Sequence, residues 1–154
     1  MLLKECQDYA PILAFWSHRE WYKNRSIDLD LVIKSYQSRI NEFSLPITWV
    51  AIDGKKPLGM VTLKENDLWT RKDLNPWLSS LYVSPEFQNR GIGSSLIEKV
   101  IDKSKNLGFI KLYLFTTNTS TPNLNNFYIV RDWKFLDVTD DNDNRKAKIY
   151  YLTL

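Results

Sequence analysis

The sequence has a single cysteine, Cys6, and a single histidine, His18, among its 154 residues. One cysteine excludes a disulfide within the chain, and one residue of each type excludes a zinc site built from cysteine and histidine. A Cys-His nucleophile pair would also need an orienting third group, and none is apparent. We therefore interpret Cys6 as a packing residue and His18 as a surface or cleft-edge residue, and we expect no metal.

Long apolar runs are also missing, since no stretch of about 18 uncharged apolar residues suits a membrane-spanning helix. At the N-terminus, Glu5 and Asp8 interrupt the apolar residues before a signal-peptide core could form. The formal charge of +3 is small and the basic residues are dispersed, which favours solvated faces over a nucleic-acid-binding stripe. We expect a cytoplasmic protein that binds neither membranes nor nucleic acid.

The chain has enough apolar residues, 44% of the total, for one domain over residues 1–154 with its own core. Apolar spacing predicts two front helices, one over 8–22 and one capped by Ser26 or Asp28 that continues to Phe43. A hairpin turn is expected at Asp53-Gly54 and another in the acidic stretch 140–144, which lacks the glycine and distal glutamate of a calcium loop. The other predicted elements are strands Ile47–Ile52, Leu58–Leu63, Trp77–Val83, Ile110–Thr116, Trp133–Thr139 and Lys146–Leu152, and helices Ser94–Asn106 and Asn123–Val130.

The unit from Trp77 to Thr116 is a strand, a helix and a second strand, and its length predicts a parallel, right-handed crossover. The fold class is therefore α/β. Within this unit, Gly91 and Gly93 lie in a short loop before the helix. The first amides of a helix form an anion site, and glycines remove the side chains that would block a phosphate. An ordinary strand-to-helix turn is the alternative interpretation.

The loop does not fit the two common nucleotide motifs. A dinucleotide fingerprint needs a third glycine where Leu96 stands, and a P-loop needs a lysine that this loop lacks. What remains is Gln88-x-x-Gly91-x-Gly93 after a Leu-Tyr-Val strand. This pattern resembles the coenzyme A motif of the GNAT family of N-acetyltransferases.

The resemblance covers about residues 47–154, and it implies a mixed, mostly antiparallel sheet with a splayed parallel strand pair and helices on both faces. It also implies acetyl-CoA as the co-substrate. The pantetheine arm would pair with the backbone of Leu81 and Val83, and the thioester carbonyl would lie near the Val83 amide. The amides from Asn89 to Ser94 would hold the pyrophosphate. The complete set of expected coenzyme contacts is Leu81, Tyr82, Val83, Gln88, Asn89, Arg90, Gly91, Ile92, Gly93, Ser94 and Ser95.

A second similarity to the family is Tyr128 followed four residues later by Asp132-Trp133, where the family has Tyr-x-x-x-Gly-Phe/Trp. It implies that Tyr128 protonates the departing thiolate; a packed tyrosine with its hydroxyl bonded to backbone is the alternative. Asp132 replaces the signature glycine, and Asp tolerates the left-handed conformation better than most residues. Thr121 replaces the asparagine that usually opens this helix, with Asn118 and Asn123 nearby.

A general base is less evident, because the central strand lacks the glutamate that many relatives carry. Glu65, acting through water, is the first choice and Asp67 the second, although either could bind a cationic acceptor. A neutral amine can also attack without a dedicated base. The polar loop 65–76 is expected to contact the acceptor or to be a simple hairpin connection.

The function expected from the resemblance is acetyl transfer from acetyl-CoA to a primary amine of a small molecule, such as an amino sugar, a polyamine or an amino acid. Acetylation of a protein amine, a catalytically silent acyl-CoA sensor and a plain interaction domain are the alternatives. Pairing of edge strands could make a homodimer.

Overall fold

The structure is a computed structural model that describes residues 1–23, 25–117 and 124–154. Thr121, which replaces the asparagine at the start of the predicted helix, and its nearby substitutes Asn118 and Asn123 lie outside the described residues, as does Asn24. The described residues form two compact units, one of residues 1–63 and 80–100, the other of residues 64–79 and 101–154. The single domain over residues 1–154 stays a prediction.

In the described residues, six strands form one sheet with the order β1-β2-β3-β4-β6-β5. The pair β3 and β4 is parallel, with Trp77 opposite Tyr113. The pairs β1–β2, β4–β6 and β5–β6 are antiparallel. This confirms the mixed α/β fold with a mostly antiparallel sheet and one parallel pair. The strands are β1 Ile47–Asp53, β2 Lys56–Lys64, β3 Trp77–Val83, β4 Lys111–Thr117, β5 Lys134–Asp140 and β6 Lys146–Thr153.

The described part of the chain also contains four α-helices: α1 Ala10–Ser17, α2 Leu29–Gln37, α3 Ile92–Asn106 and α4 Leu124–Ile129. A π-helical segment, His18–Tyr22, continues α1, so the predicted helical span 8–22 is confirmed. Asp28 caps α2 by accepting a hydrogen bond from the Asp30 amide at 3.0 Å. Within the described residues, no helix is both long and apolar enough to cross a bilayer.

The predicted extension of α2 to Phe43 is wrong. The helix ends at Gln37, and Phe43 is 80% exposed. Polar side chains take the last carbonyls in place of helical amides, because the Ser38 hydroxyl donates to the Ser35 carbonyl and the Asn41 amide donates to the Ser38 carbonyl. Ile40 fits the apolar spacing of the helix although it lies outside it, because it packs from the following turn against the same core as Val32 and Tyr36 of α2.

The first unit is built on a core between the two front helices and the strands β1 and β2. Leu13, Tyr36, Val50 and Met60 are buried in it, and Cys6 packs against its edge. Burial raises the pKa of the Cys6 thiol, as expected for a packing residue. The chain start pairs with β1, because the Met1 ammonium donates to the Val50 carbonyl and the Val50 amide donates to the Met1 carbonyl.

The second unit has its own core, formed by Leu68, Leu74, Trp77 and Ile149. The loop 65–76 contributes Leu68 and Leu74 to this core, and the turn between β5 and β6 holds the loop in place. The Trp69 amide donates to Asn142 Oδ1 at 3.0 Å, and the Thr70 hydroxyl donates to the Asp140 carbonyl at 2.9 Å. This polar loop is therefore an ordered segment.

The acidic stretch 140–144 is the hairpin turn that the sequence predicts. Asp141 is buried and accepts hydrogen bonds from the Asp143 amide, the Arg145 amide and Arg145 Nε. Burial alone would raise the pKa of Asp141, but these hydrogen bonds and the Arg145 charge hold it below its ordinary value. The carboxylate thus organises the turn.

Candidate functional site

Strand β3 changes conformation at its centre. Ser80 has a φ of 54°, which is uncommon for a residue with a side chain and interrupts the extended backbone. Beyond it, Tyr82 is buried, with its ring 5.1 Å from the Trp16 ring and its hydroxyl 2.7 Å from an Arg19 nitrogen. Leu81 and Val83, on either side of Tyr82, are half-buried. The segment predicted to bind pantetheine therefore follows an irregularity in the strand and is fixed by Tyr82.

Strand β2 approaches this segment closely because it carries a glycine. A Cβ at Gly59 would lie 2.7 Å from the Tyr82 carbonyl oxygen and 3.3 Å from the Val83 Cα. Next to it, the Ser84 amide donates to the Leu58 carbonyl at 2.8 Å. Gly59 thus sets the position of the end of β3.

We expect Gly59→Ala to destabilise the protein by about 1–3 kcal/mol, because one of two backbones must shift to admit the methyl group. Denaturant unfolding measures the loss, and the same variant should bind acetyl-CoA more weakly because the Leu81–Val83 backbone moves. Wild-type stability in this variant would show that β2 and β3 can separate at no cost, and the role given to Gly59 would then be wrong.

The turn after β3 is closed by a side chain that the sequence pattern assigns to coenzyme binding. Gln88 Nε2 donates to the Val83 carbonyl at 3.0 Å, and the Phe87 amide donates to the Ser84 carbonyl at 2.8 Å. Asn89 and Gly91 both have positive φ, 60° and 80°. The two left-handed residues turn the chain from the strand into α3, which explains the glycine at 91.

The start of α3 offers backbone donors and positive charge. The Ser95 amide donates to the Gly91 carbonyl at 3.0 Å. The earlier amides of Ile92 and Gly93 therefore have no carbonyl acceptor within the helix. Arg90 is exposed, with its guanidinium 5.4 Å from the centre of the Phe87 ring. Together with the helix dipole, these groups favour an anion at the turn.

A cleft of about 510 Å³ lies beside this first turn of α3. Apolar side chains of β1 and β2 form one wall, and Arg90 and Lys99 supply two cations on the other. No carboxylate of the described residues lines it. The cleft therefore suits a ligand that has both anionic and apolar parts.

Tyr128 lies on α4 and is 5% exposed, with its ring 5.2 Å from the Phe127 ring and 5.9 Å from the Trp133 ring. Burial raises the pKa of its hydroxyl well above the ordinary value, and the positive charge of Arg131 opposes that rise. Within the described part of the chain, the hydroxyl has no hydrogen-bond partner, so the expected alternative of a backbone-bonded hydroxyl is not found there. The group is a neutral phenol.

The end of α4 follows the family signature despite its missing glycine. Asp132 has a φ of 65°, the left-handed conformation expected of it. The Trp133 amide donates to the Tyr128 carbonyl at 3.2 Å, which closes the helix end in the way a glycine usually does. The substitution therefore preserves the helix exit.

The two candidate bases differ in their surroundings. Asp67 is paired with Lys64, with 2.8 Å between Nζ and Oδ1. Glu65 is exposed in the bend after β2 and forms no ion pair with the described residues. Glu65 and Tyr128 belong to the second unit and all eleven predicted coenzyme contacts to the first, so the catalytic assignments stay predictions. No three His, Cys, Asp or Glu side chains among the described residues are placed to hold a metal ion.

A mixed sheet with one parallel strand pair, in which β3 leads into a glycine-containing helix start, is the arrangement expected of the acyltransferase class that the sequence resembles. The family model described as the acetyltransferase (GNAT) family matches residues 10–130. Because the match covers most of the chain, the protein belongs to the GNAT acetyltransferase family, and it is an acyltransferase.

Solved structures show the same fold. Aminoglycoside 6'-acetyltransferase type Ii has a TM-score of 0.72 at 17% identity, over 97% of this chain and 92% of that one. A putative acetyltransferase from Salmonella typhimurium with acetyl-CoA has a TM-score of 0.70 at 15% identity, over 96% and 89%. A putative streptothricin acetyltransferase from Bacillus anthracis with acetyl coenzyme A has a TM-score of 0.64 at 19% identity, over 77% and 68%. No curated protein matches the chain.

Proposed function

We propose that the protein transfers the acetyl group of acetyl-CoA to a primary amine of a small molecule. The observation that carries the proposal is the turn from β3 into α3, where left-handed Asn89 and Gly91 present the first helix amides beside a cationic cleft. Two of the similar structures named above contain acetyl-CoA, which supports the same co-substrate here. A cytoplasmic location, where acetyl-CoA is produced and used, is part of the proposal.

The residues of the first unit would bind and orient the coenzyme. The backbone of Leu81 and Val83 would pair with the pantetheine arm, and the Gln88 bond to the Val83 carbonyl would keep that strand end in place. The amides from Asn89 to Ser94, with the Ser95 hydroxyl, would hold the pyrophosphate. A Val83 amide close to the thioester oxygen would stabilise the oxyanion of the transition state by about 3 kcal/mol.

The coenzyme supplies the acetyl thioester. Carbon–nitrogen bond formation and carbon–sulfur bond cleavage leave one proton to remove from the amine and one to deliver to sulfur. Tyr128 would deliver the proton to sulfur, and its buried phenol is protonated across the physiological pH range. Glu65 would accept the amine proton through water, and its lack of an ion pair within the described residues favours it over Asp67.

Small amines are favoured as acceptors by the names of similar structures, which include aminoglycoside and streptothricin acetyltransferases. A protein amine is the alternative, since the NatC complex bound to a Gag peptide and CoA matches with a TM-score of 0.60 at 21% identity over 79% of each chain. For self-association, the exposed Phe135 and Val138 of the terminal strand β5 favour a homodimer formed by strand pairing.

Thermal unfolding with and without acetyl-CoA tests the proposal. Acetyl-CoA at 100 times its dissociation constant should add about 2.7 kcal/mol to the folded state, a rise of several degrees in the midpoint for a chain of this length. AMP at the same concentration is the control. Thiol release is then measured with a panel of amines.

A midpoint shift followed by thiol release with a small amine would support the proposal. A shift without turnover of any amine would indicate a silent acyl-CoA sensor. No shift would contradict the coenzyme assignment and leave an interaction domain as the remaining interpretation.

A further inference from the structure

Arg39 lies just after α2 and is 6% exposed, although it carries a positive charge. Its Nη2 donates to the Ser35 hydroxyl at 3.0 Å, and its Nη1 donates to Ser80 Oγ at 3.3 Å and to Thr62 Oγ1 at 3.5 Å. Its Cζ lies 4.1 Å from the centre of the Tyr36 ring. The guanidinium is therefore enclosed by three neutral hydroxyls and an aromatic face.

The other charged side chain that is buried among the described residues, Asp141, has the cation of Arg145 beside it. Arg39 has no such partner, because no described carboxylate forms an ion pair with it. Burying an unpaired cation is unfavourable, and a guanidinium has five N–H donors, of which hydroxyls here engage only three. The arrangement lacks an anion, and a bound ligand can bring one.

The position of Arg39 indicates which ligand this is. Ser80, its partner, is the left-handed residue of β3 and comes directly before Leu81, the first residue predicted to bind pantetheine. A strand rises about 3.3 Å per residue, so Val83, where the thioester carbonyl is expected, lies at most about 10 Å from Ser80 along the chain. In one acceptor molecule, an anionic group bound at Arg39 would thus be separated by several bonds from the amine that attacks the thioester near Val83.

We propose that Arg39 binds a carboxylate of the acceptor, and that the acceptor is an amino acid whose reacting amine and carboxylate are separated by several bonds. This inference rests on the proposed function. Arginine is the side chain best suited to the role, since its planar fork matches both oxygens of a carboxylate. Arg39 is then the residue that determines specificity for carboxylate-bearing amines over neutral or cationic ones.

The test compares ω-amino acids, from glycine to 6-aminohexanoate, each with its own amide. In the longer pairs the distant carboxamide removes the charge but leaves the amine almost unchanged. Binding of each amine to the CoA-saturated protein is measured by calorimetry, where no transfer can occur, and kcat/KM is then measured with acetyl-CoA. We expect wild-type protein to prefer the acid about tenfold or more in the longer pairs.

Arg39→Gln should lower affinity and kcat/KM for the acid by about 10–100-fold, mainly through KM, and for the amide by less than about threefold. Arg39→Lys keeps the charge and should restore part of the acid preference. Lys34→Gln removes the positive charge of an exposed lysine on α2 and is the control for the loss of one cation; its acid preference should equal that of wild type.

If Arg39 only holds β2 and β3 in place, Arg39→Gln would lower the affinity and kcat/KM for the acid and for the amide equally. That result would overturn the inference. Equal binding of acid and amide to wild-type protein would overturn it even if Arg39→Gln does not fold. Acid preference in binding without turnover of any amine would support the carboxylate site and contradict the proposed acetyl transfer. The two proposals therefore fail separately.

Discussion

Gly91→Val is expected to weaken acetyl-CoA binding by about 30-fold or more. Gly91 has a φ of 80°, and a β-branched residue in that conformation is strained by at least 1–2 kcal/mol. The turn can relieve this strain only by changing the direction of the amides that follow. Loss of even one charge-assisted hydrogen bond to the pyrophosphate brings the total to at least about 2 kcal/mol, which corresponds to the stated factor.

Gly108→Val is the matched control for this variant. Gly108 has a φ of 82° and, like Gly91, has no neighbouring atom within 4 Å of the place that a Cβ would occupy, but it follows the C-terminal end of α3. Both variants should lose similar stability, while only Gly91→Val should lose affinity in calorimetric titration with acetyl-CoA. Equal affinity in the two variants would mean that the pyrophosphate is not held at the turn before α3.

Local patterns were enough to predict most of the fold. The strand Trp77–Val83 has the predicted bounds, and the alternating strands on each side of the turn at 140–144 differ by only one or two residues. The end of α2 could not be read from apolar spacing, since Ile40 packs on the core from outside the helix. Competition of the Ser38 and Asn41 side chains for backbone carbonyls decided that boundary.

The site was predictable where backbone chemistry needs a particular residue, and less so where tertiary packing decides. Gly91 and Asp132 take the left-handed conformations that their positions require. A serine carries no comparable signal, so the positive φ of Ser80 could not be foreseen. Arg39 was missed because charged residues are normally exposed. The available signal was its spacing from Ser35 and Tyr36, four and three residues earlier, which it contacts in the structure.

Tyr128→Phe should reduce kcat by about 100-fold or more, because positioned proton donors contribute factors of that size. Acetyl-CoA affinity should change by less than about twofold, since the ring and its contacts with Phe127 and Trp133 are retained. The folded state should tolerate the change as well, because no described group loses a hydrogen-bond partner with the hydroxyl. Tyr150→Phe is the control: Tyr150 is also a buried tyrosine of the second unit with a raised pKa, and its variant should keep the wild-type kcat.

The pH dependence gives Tyr128 a second test. Burial raises the pKa of the hydroxyl above the ordinary value of about 10, so its proton-donating form persists to higher pH than in an exposed tyrosine. Wild-type kcat should therefore rise as the acceptor amine loses its proton, and it should not yet fall at about pH 10.

The raised pKa of Tyr128 also affects the free energy of unfolding. Its contribution to stability is complete below about pH 10. Above that pH the contribution is lost, because the tyrosine releases its proton in the unfolded state before it does so in the folded state. Tyr128→Phe should accordingly lose less stability than wild type above about pH 10. Unchanged turnover and an unchanged pH profile in Tyr128→Phe would show that another group protonates the thiolate.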